Sequence, residues 1–196
     1  NKVVAQLSCG GLHNVAVTLD GVCFTWGCND EGSLGREGDE SLLYMPGAVS
    51  LPEKVTCVAA GGSHTCALLD HAAVKCWGAN DHGQLGLGAA DDDAHPTAAQ
   101  LADLGSGVVQ VAAGDAFSAA LTAGGEVYLW GGFSSSLWPA GTDIDLSVPT
   151  RVAALGTDTV QLALGSRHAL ALKQGGAVLS WGSGSSGNCL LYTSPS

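Results

Sequence analysis

Short apolar runs separated by glycine-bearing turns recur along the whole chain. The run Val108-Val109-Gln110-Val111-Ala112-Ala113 is apolar on nearly every position, ends at Gly114, and is too short for a helix, so it predicts a buried strand. Beyond the turn, Ser118-Ala119-Ala120-Leu121-Thr122 predicts a second strand, and Ala123-Gly124-Gly125 a hairpin into a third, Glu126-Val127-Tyr128-Leu129-Trp130. A proline closes the following spacer in three places, Pro46, Pro96 and Pro149. A fourth, outer strand is expected beside it, because an edge position tolerates the missing N–H.

The same order of segments repeats. Trp-Gly stands at Trp26-Gly27, Trp77-Gly78, Trp130-Gly131 and Trp181-Gly182, at intervals of 51, 53 and 51 residues. Thirteen residues before each Trp comes His13, His64, Phe117 or His168, and three before that Gly10, Gly61, Gly114 or Gly165. Four strands per roughly fifty residues make one propeller blade, and serial blades bury the faces that a single unit leaves wet. The expected fold is all-β: a partial, open β-propeller of four-stranded antiparallel sheets, with units at residues 1–51, 52–104, 105–156 and 157–188.

Composition agrees and narrows the function. Hydrophobic residues at 46%, charged residues at 13% and 29 glycines suit a packed protein of strands and tight turns. The formal net charge is -11 with only seven Lys and Arg, which argues against phosphate-backbone binding and therefore against direct nucleic-acid contact. Such a surface favours basic protein partners, or serves solubility alone. Seven cysteines without a C-x-x-C pair read mostly as small buried hydrophobes in a reducing compartment. No apolar segment approaches the ~20 residues of a membrane span. An intracellular protein, nuclear or cytoplasmic, is expected. No cofactor is expected, and neither a phosphate loop nor a nucleophile–base arrangement is legible.

Two blocks, Val58-Ala59-Ala60-Gly61-Gly62-Ser63-His64-Thr65-Cys66-Ala67-Leu68 and Trp77-Gly78-Ala79-Asn80-Asp81-His82-Gly83-Gln84-Leu85-Gly86, resemble the repeat of the regulator of chromosome condensation family. The resemblance covers residues 1–188 and implies a ring of seven blades, of which about four are here. The chain opens inside a repeat, so a longer parent is expected. After Gly187-Asn188 the repeat's Gly-x-Leu-Gly fails, and residues 189–196 are expected to be a non-repeat tail of artificial origin.

The family's founding member exchanges nucleotide on the small GTPase Ran, through a protruding wedge after one Trp-Gly and an Asp in the preceding turn. By that resemblance Asp115 and the stretch 132–143, with Phe133, Trp138, Pro139 and Asp143, are candidate GTPase contacts. The stretch reads equally as a decayed spacer joining two blades. Asp91-Asp92-Asp93 is either a solvated loop or an acidic contact for a basic partner such as a histone. Other members carry such propellers beside ubiquitin-ligase or kinase domains, so a generic interaction scaffold is the second function class. The plant ultraviolet-B receptors of the family are excluded, since their sensing tryptophans are replaced by Leu12, Ser63, Ala116 and Arg167. The repeated histidines are expected to tie their turns to neighbouring backbone rather than to hold a metal, and the Trp-Gly pairs to be core, with Gly admitting a close strand.

Overall fold

The computed structural model describes residues 2–38, 43–101, 104, 107–132 and 147–182. Four antiparallel sheets follow one another along the chain. Blade 1 holds β1 (Val4–Cys9), β2 (His13–Thr18), β3 (Cys23–Gly27) and β4 (Gly47–Ala48). Blade 2 holds β5 (Val55–Ala60), β6 (His64–Leu69), β7 (Val74–Asn80) and β8 (Asp91–Gln100). Blade 3 holds β9 (Val108–Ala113), β10 (Phe117–Thr122), β11 (Val127–Gly131) and β12 (Thr150–Arg151); blade 4 has β13 (Thr159–Leu164), β14 (His168–Lys173) and β15 (Val178–Gly182). The architecture is a four-blade β-propeller array.

Strand β9 coincides with the expected run, while β10 starts one residue early because Phe117 pairs with Gly131. The outer strands form at the prolines: Pro46 and Pro149 directly precede β4 and β12, and Pro96 lies within β8, the edge strand of its sheet. An edge strand leaves one row of N–H groups unpaired, so proline costs little there.

The core lies between blades rather than within them. Val15, Val17 and Cys23 of blade 1 pack on Val55, Val58 and Trp77 of blade 2. Cys66, Leu68 and Leu85 pack on Val111, Ala120 and Trp130; Phe117, Ala119 and Leu121 pack on Leu162, Ala169 and Trp181. Ala120 thus faces blade 2 while Ala119 and Leu121 face blade 4, as the two-residue period of a strand requires. Middle strands such as β6 and β10 are buried at every position and so read as mostly apolar runs, interrupted by His64, Thr65, Ser118 and Thr122. The register shows the same logic by contrast. Val58, Val111 and Leu162, each three residues before a turn glycine, are 2–3% exposed, whereas Leu7, in the same register on the outer face of blade 1, is 67% exposed.

Two glycine positions fix the repeat's spacing. A Cβ on Gly61 would lie 2.2 Å from His64 Cε1 and 2.6 Å from the Gly114 carbonyl oxygen, so the Gly-x-x-His spacing lets an imidazole lie on bare backbone. Gly78 has φ +110°, and a Cβ there would meet the Ser63 carbonyl at 2.5 Å. The close neighbour of the Trp-Gly glycine is therefore its own blade's turn, not the next strand as expected.

The cysteines depart from expectation. Cys66 and Cys76, directly opposite on β6 and β7, form a disulfide with Cα atoms 4.3 Å apart. Antiparallel neighbours at a closely spaced pair bring their sulfurs within bonding reach. Of the other described cysteines Cys23 alone is a buried thiol; Cys9 is exposed, and Cys28 and Cys57 are half-buried.

Candidate protein-interaction site

The turn before each second strand, and the loops after Trp26-Gly27 and Trp77-Gly78, emerge at the same end of their sheets, here called the upper face. Side-chain relays across the blade boundaries hold these loops. His13 Nε2 lies 2.8 Å from Thr65 Oγ1 of blade 2, Thr65 donates to the Ser33 carbonyl at 2.9 Å, and Trp77 Nε1 donates to that same carbonyl at 2.8 Å. One boundary on, His64 Nε2 lies 2.8 Å from Ser118 Oγ, and both Ser118 (2.9 Å) and Trp130 Nε1 (2.8 Å) donate to the Gln84 carbonyl. A hydroxyl has one proton, and the carbonyl takes it, so each imidazole must donate from Nε2. The histidines thus reach a hydroxyl of the next blade rather than the backbone expected from sequence. Burial pushes His13 down from 6.5 to about 4 and His64 to about 3, keeping both neutral.

Ser33 and Gln84 belong to the Gly-x-Leu-Gly loops, so the relays anchor the loops that line the upper face. Asn29 and Asn80 close the same loops from within, accepting from Leu34 N at 2.9 Å and Leu85 N at 3.2 Å. Nearer the axis the turns are linked by backbone. Gly11 N donates to the Gly61 carbonyl, Gly62 N to the Gly114 and Asp115 carbonyls, and Asp115 N to the Ser166 carbonyl. Asp115 is therefore gripped by the turns of blades 2 and 4, and its carboxylate presses on Gly62, where a Cβ would stand 2.4 Å from Oδ1.

Asp115 and the acidic run Asp91-Asp92-Asp93 meet in one cavity of about 310 Å³, lined also by Glu31, Ser63, Asn80, Asp81, His82 and Gln84. The run is not a loop: it opens β8, where Asp91 pairs with Asn80. Asn80 Nδ2 donates to Asp91 Oδ2 at 2.7 Å, and His95 Nε2 lies 2.7 Å from Asp91 Oδ1. Those bonds, from His95 first and Asn80 second, hold the Asp91 carboxyl below its usual value. Burial raises the Asp81 carboxyl, but hydrogen bonds from Gln84 and His82 outweigh it and leave the group below the ordinary value too. Asp92, Asp93, Asp115 and Glu31 have no side-chain hydrogen-bond or ion-pair partner among the described residues. A concave set of anions and acceptors attracts guanidinium and ammonium groups.

Phe133, Trp138, Pro139 and Asp143 lie outside the described residues. Glu31, Asp81 and His82 were not foreseen as lining residues, although Asn29-Asp30-Glu31 and Asn80-Asp81-His82 occupy one register of the repeat and so share one kind of loop. On the opposite face Glu53, Asp70 and His71, all exposed, bring ligand atoms within 4.8 Å of one another, the one such grouping among the described residues. No described helix is long and apolar enough to cross a membrane.

The sequence profile of the regulator of chromosome condensation (RCC1) repeat matches residues 4–33, 55–84, 108–136 and 159–188, and a second profile of the repeat matches 20–68 and 74–121. The probable E3 ubiquitin-protein ligase HERC3 of Homo sapiens is 35% identical over 190 residues, covering 95% of this chain and 18% of that protein. The human regulator of chromosome condensation is 39% identical over 131 residues, covering 65% of this chain and 31% of that protein. Among solved structures, Prp20p of Saccharomyces cerevisiae, described with its binding to Gsp1p and histones, superposes with a TM-score of 0.77 at 28% identity, covering 93% of this chain and 46% of that one. The chain spans less than half the length of each of these relatives.

Proposed function

The chain belongs to the regulator of chromosome condensation repeat family, and on that premise we propose that its upper face docks a basic region of a protein partner, with Asp115 at the centre. The observation that carries this reading is the convergence of Asp115 with Asp91, Asp92 and Asp93 in one cavity, where Asp92, Asp93, Asp115 and Glu31 have no side-chain hydrogen-bond or ion-pair partner among the described residues. Fixed anions steer a basic partner and set its orientation more than they add affinity.

The finer reading is guanine-nucleotide exchange on a Ran-like small GTPase, acting at chromatin in the nucleus, with histones as a further basic partner. Its support is the likeness to the human regulator and to Prp20p, which binds Gsp1p and histones. Exchange needs no bond-making chemistry. A surface that binds the nucleotide-free GTPase more tightly than the loaded form must, by linkage, weaken nucleotide binding by the same factor. Asp115 would accept hydrogen bonds from the GTPase, and Phe133, Trp138, Pro139 and Asp143 follow β11 in the chain, where a wedge would act.

The second reading is an interaction scaffold of a larger regulatory protein, favoured by the match to HERC3 over 95% of this chain. Release of fluorescent GDP from a Ran-like GTPase separates the two. Exchange predicts faster release with the chain present and loss of that acceleration on Asp115→Ala. Unchanged release defeats the exchange reading and leaves the scaffold.

A further inference from the structure

Three recesses on the upper face run into one another. A recess of about 340 Å³ over blade 1, lined by Asn29, Leu43 and Tyr44 among others, shares Cys28 and Asp30 with a smaller one of about 130 Å³ that includes Leu12. The smaller recess in turn shares Glu31 and Ser63 with the acidic cavity. The blade 1 recess is of mixed character: Asn29 and Asp30 line it beside Tyr44, which is 74% exposed, and Leu12, 69% exposed, lines the smaller recess next to it. The acidic cavity holds Asp92, Asp93 and Asp115, with Glu31 shared between it and the smaller recess, and among the described residues no lysine or arginine lines any of the three.

We infer that the three recesses form one peptide groove, which takes an extended segment of a protein partner with basic residues over blades 2 and 3 and an apolar side chain over blade 1. The inference rests on the reading that the upper face docks a basic partner, and adds the second half of the recognition. Charge complementarity selects the partner class: carboxylates without counter-ions repel phosphate and attract Arg or Lys. A single cation would satisfy the acidic end alone and leave Leu12 and Tyr44 in water. Tyr44 and Leu12, lining adjoining recesses, offer a partner's apolar side chain a surface to cover. The relays from His13 and His64 hold both walls in place before binding, which limits the ordering cost.

Fluorescence anisotropy with a labelled peptide tests this. The peptide carries three arginines at one end, a flexible Gly-Ser spacer, and two leucines at the other. Replacing its arginines with glutamates is expected to abolish binding, and replacing its leucines with serines to weaken it about tenfold. In the protein, Asp92→Asn with Asp93→Asn should weaken both the leucine and the serine peptides and flatten their salt dependence. Leu12→Ser with Tyr44→Ser should erase the leucine gain and leave the serine peptide unaffected. All four side chains are exposed, so an unchanged thermal midpoint is expected to accompany each variant. Equal binding of the glutamate peptide, or a leucine gain that survives Leu12→Ser with Tyr44→Ser, overturns the groove. A chain that binds the peptide without accelerating GDP release keeps the groove and loses the exchange reading; the reverse outcome does the opposite.

Discussion

Phe117 and Ala169 hold, at the boundary of blades 3 and 4, the positions that His64 and Ser118 hold one boundary earlier, and both are buried in a single apolar cluster. Imidazole and hydroxyl have been exchanged together for phenyl and methyl. The pairing explains why Phe117 breaks the histidine pattern without breaking the fold: the residue it would have addressed is also apolar. Phe117→His alone should strand a buried imidazole and cost about 1–3 kcal/mol. Adding Ala169→Ser should recover part of that loss, giving a coupling of at least about 0.5 kcal/mol in a denaturant double-mutant cycle. Strict additivity would show that the two positions do not communicate.

Stability should fall as pH drops from 6.5 towards 4. The native histidines are depressed to about 4 (His13) and about 3 (His64) from 6.5, so in this window the unfolded chain binds protons that the folded one refuses. The stability they contribute is present above 6.5 and declines by about 1.4 kcal/mol per pH unit for each histidine as pH falls. The lowered carboxyls of Asp20, Asp81 and Asp91 lose their contribution only below the ordinary value of 3.8, outside that window. Urea unfolding at pH 7.5, 6 and 5 reads the slope, and His64→Gln should reduce it by about half, since one of two such groups remains.

Gly61→Ala should be among the most damaging single changes, because its methyl would meet both the His64 ring and the Gly114 carbonyl. A loss of more than about 2 kcal/mol is expected, as overpacking and a broken relay combine. Gly175→Ala is the control: nothing lies within 4 Å of a Cβ there, and the change should be neutral or stabilising by up to about 1 kcal/mol. Thermal midpoints of the two variants settle the comparison.

Reduction of the Cys66–Cys76 disulfide should lower stability by about 2–3 kcal/mol, as a bridge between residues ten apart closes a short loop of the unfolded chain. Unfolding with and without a reductant measures this, with thiol counting to confirm the state of the bond. Equal stability in both would show that the pairing of β6 and β7 suffices without it.

The blades were legible because Trp-Gly, His and Gly recur at fixed intervals and because strands buried on both faces are mostly apolar. The relays were not. Thr65 follows His64 directly in sequence, yet its partner is His13, so a pairing that spans repeats is invisible while each repeat is read by itself. The cavity was hidden similarly. Asp115 and Asp91-Asp92-Asp93 belong to different blades, and only the packing of one sheet on the next brings them together. The disulfide lay beyond spacing rules as well, since Cys66 and Cys76 meet through strand register rather than through a motif.

The direction of the relays bears on how such arrays evolve. Every described histidine relay reaches forward and the matching tryptophan reaches back, so the chemistry of each seam is written half in one repeat and half in its successor. A tandem duplication of the third repeat would set Phe117 against a serine, and moving the fourth behind the first would set His13 against an alanine. Copying or losing the second repeat, by contrast, would set His64 against Thr65 or His13 against Ser118 and keep a hydroxyl opposite the imidazole, so whether a gained or dropped repeat leaves a working seam depends on the two halves it brings together.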